Sequence, residues 1–482
     1  MGNEKDCKEV PTENFSKKYD RKLPFFTKCG FGVANIGDTI ITEFVGAFLL
    51  FFFTNVAGLR PALGGLVVSL GILWDAVSDP IIGTMSDRCT SKHGRRRPFI
   101  MLSVIPIIIS SVLLFTNVNL PMTGKFIYYV ITIIFYWTSY TMFNIPYLSL
   151  GSELTTNNDE KTSASSIRQV FGTCGLLFSS TLPMILVSAY EKFGMTTNHA
   201  WSCAAGTLGF MAALAIFITW YSTRGWEIPF PPQSKSDPIL KNLGKVLVYK
   251  PYIILIVGSL IFYCAFNTIT STVVYHATIV LGVDEAASSI VFLSGTIFGI
   301  ILSILVGKLA IRFDKKWVFV VFMFISGTTL LVFRVVGIHS LVAQCIEYSL
   351  AHFAIIGFLV LSYNLLYDTC ETYEFRSGKM LTGVMVSYFS FFVKLGKAAA
   401  IQIVGIILEI AGYQAGQTVQ SENVVVAVKN LVTLFPGILL IVCGLIICIF
   451  PITKKRFLAM QEAKELRKEG KEYSTDAFQK IL

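Results

Sequence analysis

The chain has 482 residues, of which 54% are hydrophobic and only 15% charged, and its mean hydropathy is +0.64. Such a composition points to lipid as the surrounding solvent and excludes an ordinary water-soluble enzyme or binding module. The net charge of +10 does not signal nucleic acid either, because Lys and Arg cluster in the gaps between long apolar runs.

The segment 1–24 is polar and mixed in charge, carrying Lys17, Lys18, Arg21 and Lys22. It lacks the layout of a cleavable leader, so the first apolar run is expected to act as its own insertion signal. Runs that reach the roughly 20 apolar residues needed to cross a hydrocarbon core follow one another along the chain. They number twelve: 27–57, 62–86, 98–118, 125–150, 165–190, 200–222, 251–281, 286–311, 317–337, 341–367, 382–412 and 426–451. One set of gaps carries Arg88, Lys92, Arg95, Arg96 and Arg97, then Lys161, Arg224 to Lys250, Arg312, Lys315 and Lys316, and finally Arg376 and Lys379. The alternate gaps hold little beyond Arg60, Lys125, Lys192 and Lys429. Excess positive charge marks the cytoplasmic side, so both termini are expected there, with Lys454, Lys455 and Arg456 at the far end.

The polar stretch 223–250 contains Pro229, Pro231, Pro232 and Pro238 and splits the spans six and six, which reads as a linker between two halves. The expected organisation is a segment 1–24, a six-helix half 25–222, the linker 223–250, a second half 251–452 and a tail 453–482. A weak internal repeat agrees: Gly83-x-x-x-Asp87-Arg88 precedes one basic run, and Gly307 to Arg312 precedes Asp314, Lys315 and Lys316. Glu462 to Lys471 reads as a solvated, helical tail. The ten cysteines are scattered without a CxxC pair, as buried small hydrophobes are.

Ionisable residues at membrane depth are costly and mark a pathway by default. Arg334, Glu409 and Lys308 lie near span ends, where snorkelling accounts for them. Asp38, Glu43, Asp75, Asp79, His276, Glu347, His352, Lys394 and Lys397 lie deeper. In Leu73-Trp74-Asp75-Ala76-Val77-Ser78-Asp79-Pro80, two carboxylates four residues apart share one helical face. About 6 Å apart at an effective dielectric near 20, they repel by roughly 3 kcal/mol if both are ionised. One of them should hold a proton, or the pair should bind a small cation. Pro80 has no N–H and leaves the carbonyl of Ala76 without its helical partner. That carbonyl, the carboxylates and the Ser78 hydroxyl make an all-oxygen set suited to Na⁺ or a proton relay; the alternative is a structural acidic pair bonded to its neighbours.

In Tyr140-Thr141-Met142-Phe143-Asn144-Ile145-Pro146-Tyr147, Thr141, Asn144 and the rings can hydrogen-bond and stack on a polar ligand, although Thr and Asn also join helices. Arg168, after the polar loop Glu153 to Ser166, either reaches a central cavity or sits at the interface. Lys394 and Lys397 need acidic partners, for which Asp75 and Asp79 are the candidates, and Lys394 is favoured as the inward one. Glu43, Glu347 and His352 are expected to pair between helices.

The run from Phe51-Phe52-Phe53-Thr54-Asn55 through Asp75-x-x-x-Asp79-Pro80-x-x-Gly83 to Gly94-Arg95-Arg96-Arg97-Pro98 resembles the glycoside-pentoside-hexuronide:cation symporters, the melibiose permease-like family. Asn144-Ile145-Pro146, Asp368-x-x-Glu371-x-Tyr373-Glu374 ahead of Gly378-Lys379, and Val393-Lys394-x-Gly396 extend the resemblance over essentially the whole chain. It implies an all-α integral membrane protein of the major facilitator fold, with twelve transmembrane helices in two six-helix halves, that moves a sugar with Na⁺ or H⁺ by alternating access. By resemblance Asp75, Ser78, Asp79 and Thr141 form the cation site, with Na⁺ at Asp75 and Asp79 as one option, and Lys394 couples it. Asp38 and Arg168 match the family's sugar site. Asn144 stands where the melibiose permease has an acid, and a nearby family Trp is Leu148 here; losing a carboxylate favours an anionic sugar such as a hexuronide. Gly83, Asp87, Arg88 and Arg95 to Arg97 are expected to form a cytoplasmic gate. The implied partners are a sugar, a cation and the bilayer of the cell membrane, with no cofactor, no nucleic acid and a monomeric protein. Rival readings are a transporter of lysophospholipid-like amphipaths and a sugar sensor that moves nothing. No HExxH, GxSxG or phosphate-cradling glycine loop supports an enzyme.

Overall fold

A computed structural model describes residues 21–89, 91, 94–228, 246–378, 381–415, 417, 419–468 and 471–481. The segment before Arg21, residues 229–245 with the four prolines of the linker, and Lys92 and Lys379 lie outside the described residues. Twelve helices are long and apolar enough to cross a membrane, one for each run read from the sequence. The first half consists of α1 (Phe25–Val56), α2 (Pro61–Asp87), α3 (Arg97–Leu114), α4 (Met122–Glu153), α5 (Asn158–Lys192) and α6 (Thr197–Ser222). The second consists of α7 (Lys250–Val280), α8 (Ser288–Arg312), α9 (Lys315–Val336), α10 (Leu341–Ser377), α11 (Thr382–Ile410) and α12 (Glu422–Cys448). Among the described residues there is no strand. Spanning backbone in lipid must satisfy its own hydrogen bonds, and helices do so within each segment. Ile105, Ile131, Phe210 and Leu445 are exposed, as side chains facing acyl chains are.

The repeat between halves extends to backbone detail. Both α1 and α7 end in a π-helical turn, Phe52–Val56 and His276–Val280, closed by Ala57 N–H to Phe52 O at 2.9 Å and Leu281 N–H to His276 O at 3.2 Å. Two spans differ from expectation. α10 runs ten residues past 367 to Ser377, so Asp368, Glu371 and Glu374 sit on helix rather than in a loop; it stops where Gly378 adopts φ 66°, a left-handed cap that favours glycine. The stretch read as a polar loop after Glu153 is mostly helix, because α5 already starts at Asn158. The tail is helical and docked along one side: α13 (Lys454–Lys468) places Lys464 3.2 Å from Glu371 and 3.5 Å from Glu374, Glu462, Glu465 and Arg467 stay exposed, and further on Phe478 and Ile481 are buried.

Between the halves, α2 runs along α11, α1 packs on α7, and α5 on α8. The α2–α11 seam is close because of glycine: a Cβ on Gly405 would lie 2.4 Å from Pro61 O, and one on Gly65 3.0 Å from Ile401 O. Ser69 Oγ donates to Ala398 O at 2.7 Å, and Glu409 caps the Ala62 N–H at 2.8 Å. Nearby, Thr54 and Tyr275 hydroxyls are 2.6 Å apart, Tyr413 bonds Asn55, and the rings of Phe51 and Phe48 pack edge-on against Tyr275 and Phe292. All of these joints lie towards the end of the bundle remote from the termini.

Candidate functional site

Midway along α2, Asp75 and Asp79 stand one turn apart and face α11. Lys394 places its Nζ 2.7 Å from Asp75 Oδ2 and 2.5 Å from Asp79 Oδ2, bridging the two. From α4, the Thr141 hydroxyl donates to Asp75 Oδ1 at 3.0 Å, and Ser78 Oγ is 2.9 Å from Thr141 Oγ1. A hydroxyl has one proton, so a consistent chain runs Ser78 to Thr141 to Asp75. Asp75 is only 4% exposed, and an unpaired carboxylate at that depth would be strongly destabilising. The ammonium neutralises one of the two carboxylates, which leaves the cluster one negative charge, enough for one proton or one monovalent cation.

Asp38 and Asn144 are brought together: Asp38 Oδ1 accepts from Asn144 Nδ2 at 2.7 Å and from the Tyr140 hydroxyl at 2.9 Å. Arg168 is half-buried and makes no ion pair among the described residues, yet its guanidinium lies near enough to act electrostatically on Asp38. Next to the Lys394 bridge lies a cavity of about 110 Å³ lined by Glu43, Asp75, Trp137, Asn267, Lys394 and Lys397, with Thr270 beside them. Trp137 is one helical turn before Thr141 on the same face of α4. Sequence reading passed over Trp137, Asn267 and Thr270, although the spacing of four from Thr141 was the available signal for Trp137.

The expected gate residues are spread over a wider network. Arg96 pairs with Asp87, reaches Glu153 Oε1 at 3.0 Å and donates to Ser86 Oγ at 2.6 Å; Arg95 reaches the same Glu153 oxygen at 2.5 Å. Glu227 accepts the Arg95 and Arg96 backbone N–H groups at 2.7 and 3.0 Å, which ties the basic loop to the end of α6. Burial pushes the Glu227 carboxyl above the usual carboxylate range, against the pull of those N–H groups. Glu153 and Glu227 did not stand out in the sequence, where one opens a polar loop and the other falls in the linker. Arg88 is exposed and joins none of the ion pairs among the described residues, and a Cβ on Gly83 would meet only Ile145, at an ordinary 3.5 Å.

Other deep residues depart from expectation. Glu347 does not pair: its Oε1 is buried without a hydrogen-bond partner among the described residues. His352 bonds within its own helix, with Nδ1 2.8 Å from Tyr348 O, while its ring packs closely against Gly295 of α8. Lys397 lies over the Tyr263 ring at 5.3 Å, a cation–π contact that offsets part of its desolvation. Of the near-end residues, Arg334 bonds Asn430 at 2.8 Å.

A twelve-helix bundle of two related halves, with a charged cluster buried between them at mid-membrane, defines a transporter of the major facilitator class. The chain belongs to the family described as MFS/sugar transport protein, whose model matches residues 30–454, in line with the resemblance to the glycoside-pentoside-hexuronide:cation symporters. It is 26% identical over 445 residues to a putative glycoside/cation symporter of Escherichia coli strain K12, covering 91% of this chain and 94% of that one. It is 25% identical over 442 residues to a glucuronide carrier protein homolog of the same strain, covering 91% and 95%. Among solved structures, a D-xylose-proton symporter superposes with a TM-score of 0.58 at 12% identity over 88% of this chain and 96% of that one, a likeness of fold.

Proposed function

We propose that this multi-pass membrane protein carries a sugar across the cell membrane together with Na⁺ or H⁺, by alternating access, and performs no covalent chemistry. The observation that carries the reading is the Lys394 ammonium held between Asp75 and Asp79 at 2.7 and 2.5 Å. An incoming cation has the same target oxygens as Lys394, so the two compete. Cation binding, supported by the Thr141 and Ser78 hydroxyls, releases Lys394 from α2 and loosens the one charged joint between the halves at this depth among the described residues. Releasing that joint lets the substrate groups Asp38, Asn144 and Arg168 adjust, which links ion and sugar as one coupling free energy acting in both directions.

The halves 25–222 and 251–452 are read as the moving units, with both termini cytoplasmic, as the basic loops indicate. The joints at the remote end then seal the outer face, and the arrangement corresponds to an inward-facing state. The Asp87, Arg95 and Arg96 network, with Gly83 and Arg88 beside it, is read as the gate at the cytoplasmic end. The test is uptake into proteoliposomes of radiolabelled glycosides, pentosides and hexuronides under imposed Na⁺ or H⁺ gradients. Accumulation of one sugar class with one ion is expected. Failure of every sugar under every gradient would sink the reading and raise the amphipath alternative.

A further inference from the structure

Replacing Lys394 at Asp75 and Asp79 by one monovalent cation exchanges like for like: the two carboxylates keep a single positive partner. The charge held at α2 is the same before and after. What changes is that an ammonium is set free at mid-membrane, where a lone charge is strongly disfavoured. The displaced Lys394 therefore needs a carboxylate within reach of its stem.

The cavity of about 110 Å³ beside the bridge offers one. Besides Asp75, Glu43 of α1 is the only carboxylate lining it among the described residues. Glu43 is half-buried, and its side chain forms no ion pair or hydrogen bond among the described residues. Gly46, one turn further along α1, lines the same space, and a Cβ there would meet nothing within 4 Å, so α1 leaves the cavity open on the side of Glu43. The other candidates are engaged. Asp38 accepts from Asn144 and Tyr140 at 2.7 and 2.9 Å and does not line the cavity. Lys397, the second ammonium of the lining, lies over the Tyr263 ring at 5.3 Å and does not pair with Glu43.

We infer that Glu43 is the landing site of Lys394: when the coupling ion takes Asp75 and Asp79, the ammonium crosses the cavity and pairs with Glu43. The ionic joint between the halves then passes from α2–α11 to α1–α11. Glu43 also acts electrostatically on Asp38, which precedes it on α1, so its neutralisation by Lys394 is felt at the Asp38 group. The inference rests on the proposed symport and adds to it a positioning residue, Glu43, that carries the arrival of the ion from α2 to α1.

A double-mutant cycle on ion binding to the purified full chain tests it. Tryptophan fluorescence is followed while Na⁺ is titrated at fixed pH, and again while the pH is lowered in Na⁺-free buffer. Glu43→Gln should weaken binding of whichever ion drives the signal by about tenfold, the contribution of one hydrogen bond between charged groups. In a Lys394→Gln background there is no ammonium to receive, and the same substitution should change the affinity by less than about twofold. A loss of equal size in both backgrounds would mean that Glu43 attracts the cation through its charge alone, and no loss in either would mean that Lys394 goes elsewhere; each overturns the inference. If Lys394→Gln does not fold, the infrared difference between ion-bound and ion-free chain decides. A carboxylate band that moves on ion binding and vanishes in Glu43→Gln supports the transfer, and a difference spectrum that Glu43→Gln leaves unchanged overturns it. Asp79→Asn separates this inference from the symport. Ion binding as in the wild type would sink the ion site and the symport with it, whereas lost binding in Asp79→Asn beside normal binding in Glu43→Gln would sink the landing site alone.

Discussion

The central residues carry opposite demands that only their combination meets. Asp75 and Asp79 cannot both stay ionised at mid-membrane, and Lys394 cannot stay charged there alone; their bridge at 2.7 and 2.5 Å satisfies all three. Thr141→Ala removes a hydroxyl from Asp75 Oδ1. A hydrogen bond to a charged group contributes about 1.5 kcal/mol or more, so the apparent affinity for the coupling ion should fall about tenfold with the rate at saturating ion retained. An unchanged ion titration would remove Thr141 from the site.

Glu227 gives a second test. Its folded pKa lies above the ordinary value because of burial, so the folded state holds its proton more firmly than the unfolded chain, and this group favours folding as the pH falls and opposes it as the pH rises. Glu227→Gln keeps an acceptor for both N–H groups and should melt no lower than wild type at pH 7, with the difference shrinking on acidification. Glu227→Ala orphans two buried donors and should lower stability by roughly 2 kcal/mol. A glutamine variant that melts well below wild type at pH 7 would contradict this.

The ion cluster was legible in the sequence because charge inside an apolar run is rare enough to stand out: Asp75, Asp79 and Lys394 announce themselves. Trp137, Asn267 and Thr270 do not, since an indole or a small polar side chain on a helix is ordinary packing material until a cavity is seen beside it.

At the scale of elements, apolar length located the spans but not their ends. α10 continues through Asp368, Glu371 and Glu374 because each acid finds a basic partner, Lys315 or Lys464, that lets the helix outrun its apolar stretch. The docked side of the tail was hidden for a similar reason: a charged helix reads as solvated all round until its contacts are known. Phe478 is 1% exposed, so Phe478→Ala should weaken docking by about 3 kcal/mol. Limited proteolysis should then release the C-terminal segment faster than in the wild type, and equal cleavage would mean that the docking is not held there. The α2–α11 seam makes a different prediction. Gly405→Val sets a side chain against Pro61 O, so it should open the sealed end. In that background Ser69→Cys should react faster with an impermeant maleimide added from the side remote from the termini. An unchanged rate would show that the seam does not close that side.

At the scale of the whole molecule, two six-helix halves are joined by apolar rings at one end and, among the described residues, by one ionic bridge midway. The halves were readable from the six-and-six division and the repeated basic loops, and the paired π-turns of α1 and α7 extend that symmetry to the backbone. The end at which the halves pack together was not readable, because the groups that meet there, Phe48, Phe51, Tyr275 and Phe292, are aromatic residues that any membrane helix carries. In the proposed mechanism the coupling ion displaces Lys394 from Asp75 and Asp79. The measurement that tests it most directly is gradient-driven sugar accumulation in proteoliposomes by the wild type and by Asp79→Asn, with counterflow measured in parallel. The variant should lose accumulation while any remaining exchange no longer depends on the ion; a variant that accumulates sugar as the wild type does, with the same ion dependence, would contradict that displacement.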